Sequence, residues 1–455
     1  MLKIKRLLFK PSAFVAVLCL PLILASCTFF KDSENSQKEA APTESITSMQ
    51  EEQAAGGDQA VEEITIWDKL EPREQIELME DIEQFVELNK GIKINTRHFR
   101  SEEELTDQFR AASLAGAGPE FILANLESSQ ALARASVLRP IMDDMVYPDI
   151  ISGLAEISVF EDKNYVIPFR AFDFLLLFYN RDFIKEAPES FEELTEYCRQ
   201  ANKPKEGIYG FIFNLAEADW IIPFTGGYQD WIYDYSTGAV SLDSQAMVKT
   251  LEFLLMLYNQ EKIVPSGYEY EEISTAFKEG RAHMIINGNW AIDEYSKEGL
   301  DFGVAKIPVV WGGFRNPTPL IDGIGFMINA NTFGKSLETT NKVISYLMSE
   351  KVQQKWTEKT QTMPSLKSLE SASFIVSDQL YSAQAQQTAI CRGKPPKEAL
   401  MAIREALMMN IKNVLNSSIS PEDAVKKIQE DVIKLRSGSI TGETGSADTS
   451  LNSES

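Results

Sequence analysis

Apolar residues in the central part of the chain recur at two periods, and the alternation between them predicts an α/β protein. Ile64-Thr65-Ile66-Trp67 is short and rich in β-branched and aromatic residues, and reads as a buried strand. Leu78, Met79, Ile82, Phe85 and Val86 then keep helical spacing, Gly91 follows as a C-terminal stop, and Ile92-Lys93-Ile94 opens the next strand. That makes a βαβ unit. Phe121-Ile122-Leu123-Ala124 offers a further strand after another helical segment, and Leu175-Leu176-Leu177-Phe178-Tyr179 is an apolar run short enough for a sheet core. Met247, Val248, Leu251, Leu254, Leu255 and Tyr258 mark one face of a later helix. All of these stripes are read as core.

The pattern changes at both ends. Lys3, Lys5, Arg6 and Lys10 precede an apolar stretch from Phe14 to Leu24 that is too short to span a bilayer comfortably, which reads as an export signal. Leu24-Ala25-Ser26-Cys27 closes it and resembles the lipobox of bacterial lipoproteins. That resemblance implies a signal peptide over 1–26 and an acylated Cys27, which would place the protein on the outer face of the bacterial cytoplasmic membrane, held by its lipid anchor. Residues 27–60 are rich in Ser, Glu, Gln, Ala and Thr and read as a disordered tether with an end-to-end distance of roughly 30 Å. A Gly/Ser/Thr-rich tail over 437–455 is expected to carry no structure.

At 455 residues with 44% apolar content the chain predicts about two packed domains between these ends. A net charge of −23 argues against nucleic acid and against electrostatic docking on anionic lipid. His98 and His283 are the only histidines, so a His-rich zinc site lacks material unless both converge, and no metal or cofactor is expected. No Gly-rich phosphate loop follows a strand: Gly116-Ala117-Gly118 has no Walker Lys, and Gly323-Ile324-Gly325 is too short. Cys198 continues a helical stripe from Phe191 and Leu194, so Cys198 and Cys391 are expected as free thiols, with a disulfide between them the alternative.

The order of landmarks adds a family. Ile66-Trp67 is followed by Asn89-Lys90-Gly91-Ile92-Lys93-Ile94, Gly118-Pro119-Glu120, Ile167-Pro168, Tyr179-Asn180-Arg181-Asp182, Phe213-Asn214-Leu215, Gly226-Gly227-Tyr228, Ala276-Phe277 and Ile286-Asn287-Gly288-Asn289-Trp290-Ala291. From about Ile64 to Leu435 this series resembles the carbohydrate-binding family of ABC-transporter solute-binding proteins, its maltose-binding members above all. The resemblance implies a two-lobed α/β periplasmic-binding-protein fold of type II. Residues 61–170 with 325–373 would form an N-terminal lobe, and 171–324 with 374–436 a C-terminal lobe. The crossings would fall near Phe169 to Phe172, Ile321 to Gly325 and Ser371 to Ser377. It also implies a monomer with no catalysis, which closes on a sugar and delivers it to permease subunits.

On the same resemblance, Trp290 is the ring beneath a sugar, Tyr270 reaches a hydroxyl, and Glu217 and Asp173 accept from hydroxyls. Glu127 faces Asp173 from the other lobe, with Trp220 and Asp68 as further contacts. These residue types suit a saccharide, because carboxylates take charge-assisted bonds from hydroxyls and rings cover C–H faces. One extra residue between Pro168 and Tyr179 shifts the register of Asp173 against the family. Ala124, Ser128 and Leu400-Met401 stand where maltose-binding members carry a ring, a cation and an aromatic pair. Those losses point to a smaller saccharide or a polyol phosphate as readily as to a maltodextrin. An exported glycosidase using a pair such as Asp173 and Glu217, and a sensor or adhesin on the same fold, are the alternatives.

Overall fold

A computed structural model describes residues 61–141, 149–264 and 268–438. Cys27, the signal peptide, the tether and all but the first two residues of the tail lie outside the described residues.

Twelve strands occur among the described residues: β1 (Glu62–Asp68), β2 (Ile92–His98), β3 (Phe121–Asn125), β4 (Val159–Phe160), β5 (Lys163–Asn164), β6 (Ile167–Phe172), β7 (Leu175–Asn180), β8 (Met284–Gly288), β9 (Phe302–Ala305), β10 (Leu320–Ile328), β11 (Met363–Pro364) and β12 (Arg392–Gly393). The first lobe is built on a sheet ordered β11-β6-β10-β3-β1-β2, with β12 pairing the start of β10. β2 and β3 both run parallel to β1, as the βαβ pattern predicts, whereas β10 is antiparallel to β3 and β6. All nine residues of β10 are buried, which suits a central strand covered on both faces. The second lobe has a smaller antiparallel sheet, β8-β7-β9, surrounded by helices that include Gln245–Leu255, Lys397–Leu415 and Pro421–Arg436.

Two helices depart from the expected stripe for physical reasons. In helix Pro72–Leu88, Leu78, Ile82 and Phe85 are buried but Met79 is 44% exposed. The neighbouring face is taken by Glu77 and Asp81, which bind Lys355 at 3.2 and 2.7 Å, while Asp81 also accepts from Trp356 Nε1 at 2.6 Å. This helix therefore docks partly through ion pairs. Helix Gln245–Leu255 runs into a wider turn over Met256–Gln260, and the re-phased stripe buries Leu257 and leaves Tyr258 half-buried.

Strand β6 stays in the first sheet as far as Phe172, which pairs with Asp322, and the chain joins the second sheet at Leu175. The first crossing is thus Asp173-Phe174. Pairing of β6 with β10 shifts by one residue at a bulge, since Ile324 pairs with Arg170 and Gly325 with Pro168. The intervening Phe169 is fully buried against Phe326 and Trp356. A Cβ on Gly323, in the return strand, would lie 2.3 Å from the Arg170 carbonyl oxygen, so the two crossing strands approach as closely as they do only with glycine there.

Candidate functional site

The site grows from the segment Asn287-Gly288-Asn289-Trp290 at the end of β8. Asn287 donates to Tyr295 Oη at 2.9 Å, and Asn289 Oδ1 accepts from the backbone N–H groups of Asp173 at 3.0 Å and Phe174 at 3.4 Å. Asn289 therefore holds the crossing turn, in which Asp173 has φ +61°. A Cβ on Gly288 would lie 2.0 Å from Trp290 Cζ3, so only glycine lets the indole lie against the backbone. With one side so packed, Trp290 remains 42% exposed. Its Nε1 donates to Tyr270 Oη at 2.8 Å, and its ring meets Trp220 at 6.3 Å in an edge-to-face arrangement.

Trp220 itself is 5% exposed and donates to the Ile286 carbonyl at 3.1 Å. It backs Trp290 and Tyr270, and presents no free face of its own. Its neighbour Asp219 takes the surface, where it binds Arg404 of helix Lys397–Leu415 through both carboxylate oxygens, the Nε bond being 2.7 Å. Glu217 is exposed and accepts from Asn214 Nδ2 at 2.7 Å. Asp68, at the end of β1, is 2% exposed, and its Oδ1 lies 3.1 Å from Leu70 N and 2.9 Å from His98 Nδ1. That carboxylate fixes the loop after β1. His283 lies in the other lobe, stacked on Phe183, and among the described residues no group of His, Cys, Asp and Glu side chains is arranged to hold a metal.

Charge gathers where the crossings meet. Lys394, just after β12, is 8% exposed; its ammonium donates to Asp173 Oδ2 and lies 4.0 Å from Asp322 Oδ2. Burial opposes charge on Lys394, but Asp322 and Asp173 outweigh it and hold its pKa above the ordinary lysine range. Burial pushes Asp322 up to about 7, with Lys394 only partly offsetting it. Glu127, from the first lobe, acts electrostatically on Lys394, Arg404 and Asp322, yet has no hydrogen-bond or ion-pair partner among the described residues. Its turn is set by Glu102, which accepts from Asn125 N at 2.9 Å and Ser128 Oγ at 3.0 Å. Burial raises the pKa of Glu102 despite those bonds.

The structure therefore brings together Trp290, Tyr270, Trp220 and Asp173, with Glu127 near enough to act on the charges of Lys394 and Arg404. Arg404, Asp219, Lys394 and Asn289 are additional site residues. Asn289 stood inside the landmark series and Arg404 close after Leu400-Met401; Lys394, in Gly393-Lys394-Pro395, carried no pattern that marked it. Ala124 is fully buried against β10, Leu400 is buried and Met401 is 56% exposed, so none of them replaces the rings lost there. A groove of about 680 Å³ lined by Lys185, Glu189, Lys306 and Gln386 includes none of these residues.

Two sheets joined by crossing strands, with aromatic and carboxylate side chains gathered near the crossing, give the mixed α/β arrangement of the periplasmic-binding-protein fold. The family model described as bacterial extracellular solute-binding protein matches residues 81–383, and the chain belongs to that family. It is 25% identical over 254 residues to the maltotriose-binding protein of Pyrococcus abyssi (strain GE5 / Orsay), a match covering 54% of each chain. It is 23% identical over 384 residues to the galactooligosaccharide-binding protein of Bacillus subtilis (strain 168), covering 81% of this chain and 88% of that one. Among solved structures, the maltose/maltodextrin-binding domain MalE from Bdellovibrio bacteriovorus bound to maltotriose superposes with a TM-score of 0.61 at 26% identity, covering 82% of this chain and 99% of that chain. Cys198 and Cys391 are free and buried, and burial pushes both thiols up, away from reactivity.

Proposed function

We propose that this chain captures a neutral saccharide, maltose-like or a short oligosaccharide, between its lobes and delivers it to an ABC importer from a lipid anchor at Cys27. The observation that carries the reading is Trp290, held against Gly288 and 42% exposed, with Asp173 lining the same pocket at the crossing. Relatives named for maltotriose and galactooligosaccharide support it. A polyol phosphate fits less well, because the two cations of the site, Lys394 and Arg404, are already bound to carboxylates, and a phosphate would find no uncommitted one.

Calorimetric titration with maltose, maltotriose and galactobiose tests the ligand. Binding of at least one at micromolar affinity, about −8 kcal/mol, is expected; heats at the blank level for all three would remove the carbohydrate reading. The lobes are expected to close as rigid bodies, so small-angle scattering at saturation should shrink the radius of gyration by roughly 1 Å with unchanged circular dichroism. Identical scattering curves with a sugar proven to bind would contradict closure.

The anchor has its own test. Cys27→Ala should move the protein from the detergent phase to the aqueous phase, whereas retention with no acyl mass on the N-terminal peptide would rule the anchor out.

A further inference from the structure

A pocket of about 260 Å³ opens beside Trp290, bounded by Trp290, Asp173 and Asp293 of the second lobe and by Thr360, Gln361 and Thr362 of the first. At about 30 Å³ per liquid water it holds roughly eight or nine waters, room for one hexose ring. Its walls combine an indole face with carboxylates, hydroxyls and an amide, the mixture that a sugar's C–H face and hydroxyl edge require.

The first-lobe wall is not uniform in its freedom to bind. Thr360 Oγ1 and Thr362 Oγ1 bond each other at 2.7 Å, and Arg170 donates to Thr362 Oγ1 at 3.0 Å, so those hydroxyls are engaged. Gln361 lies between them, exposed, and its side-chain amide makes no hydrogen bond among the described residues. Its backbone is left-handed, φ 59° and ψ 25°, at the C-terminal cap of helix Glu350–Thr360, where its N–H bonds the Thr357 carbonyl at 2.9 Å. Glycine takes that conformation without cost, and a glutamine there is a strained choice. Asp173, which lines the same pocket, is a second non-glycine residue with positive φ, at +61°. Two such residues lining one pocket point from geometry toward function.

We infer that this pocket is a saccharide subsite shared between the lobes, in which the Gln361 amide reads a hydroxyl of the sugar ring stacked on Trp290. The inference rests on the carbohydrate reading and extends it. Gln361 would be the group through which the first lobe senses that the second lobe is loaded, since its amide both donates and accepts.

Gln361→Gly separates this role from a structural one, because it removes the amide and the backbone strain together. The ligand-free variant is expected to melt at or above the wild-type temperature. Its affinity for whichever of maltose, maltotriose and galactobiose the wild type binds should fall about fivefold or more, the effect of one lost hydrogen bond. Gln361→Asn, which tolerates the left-handed backbone and keeps an amide, should recover part of the loss. Wild-type affinity in Gln361→Gly would overturn the subsite and leave the carbohydrate reading intact. A wild type that binds none of the three sugars would remove both.

Discussion

Trp290→Ala is expected to weaken sugar binding at least about tenfold, 1.4 kcal/mol or more, while the ligand-free protein unfolds close to its wild-type midpoint. A Trp buried in a core would cost about 3 to 5 kcal/mol of stability on truncation. Trp290 keeps 42% of its surface, so most of that cost does not apply. What the folded state loses is one hydrogen bond to Tyr270 and one edge-to-face contact with Trp220, together about 1 to 2 kcal/mol. The ligand loses the only exposed indole of the aromatic cluster. Titration calorimetry of the variant against the best wild-type sugar, with a thermal melt of the apo protein, reads both quantities. Normal affinity in the variant, or a protein that fails to fold, would show that the ring is packing and not a platform.

Arg170→Met should produce the largest loss of stability among substitutions near the crossing, about 3 to 5 kcal/mol at neutral pH. Arg170 is 2% exposed and donates to Glu74 at 2.7 Å, and its guanidinium lies 4.9 Å from the Trp356 ring centroid. Methionine can fill some of the space, but it leaves Glu74 half-entombed without its counter-ion. Burial pushes the Glu74 pKa up, but Arg170, helped by the Glu71 backbone N–H and Lys69, outweighs it and the net position is below its ordinary 4.5. A lowered carboxylate contributes stability above its unfolded pKa and loses it as pH falls through the folded one. The gap between wild type and variant in urea midpoint should therefore be full at pH 7 and narrow below about pH 4. A variant within about 1 kcal/mol of wild type at pH 7 would show that the buried pair breaks even against its desolvation.

Local periodicity made the first sheet legible. The Ile64, Ile92 and Phe121 strands and the helix between the first two are where their apolar patterns put them, because short β-branched and aromatic runs and a helical apolar spacing are local signals. Met79 and Tyr258 escaped that reasoning for the same cause: the partner element, not the helix's own pattern, decides which face is covered. Lys355 brought charge to one helix, and a wide turn re-phased the other. In the site, Trp290 stood in the landmark series, whereas Asp173 fell between two landmarks, Ile167-Pro168 and Tyr179, where one extra residue left its register open. Trp220 illustrates the opposite case, an aromatic at the right distance in sequence whose ring faces inward. Lys394 and Gln361 were not legible. Their importance arises from segments more than 180 residues apart meeting at one point, and neither lies in a run whose composition signals anything.

The ammonium of Lys394 ties Asp173, at the exit of one crossing, to the neighbourhood of Asp322, at the entry of another. Next to it Arg392 bonds Glu156 of the first lobe at 2.7 Å and lies 4.9 Å from the Trp231 ring centroid of the second. Ties placed this near an axle sweep short arcs when the lobes turn, so they can persist through the whole swing while contacts at the rim open and shut. On the proposed closure, the charge cluster would act as a bearing, resisting separation of the lobes without opposing their rotation. Substitutions there should change how readily the door swings, and leave each leaf of it as well folded as before.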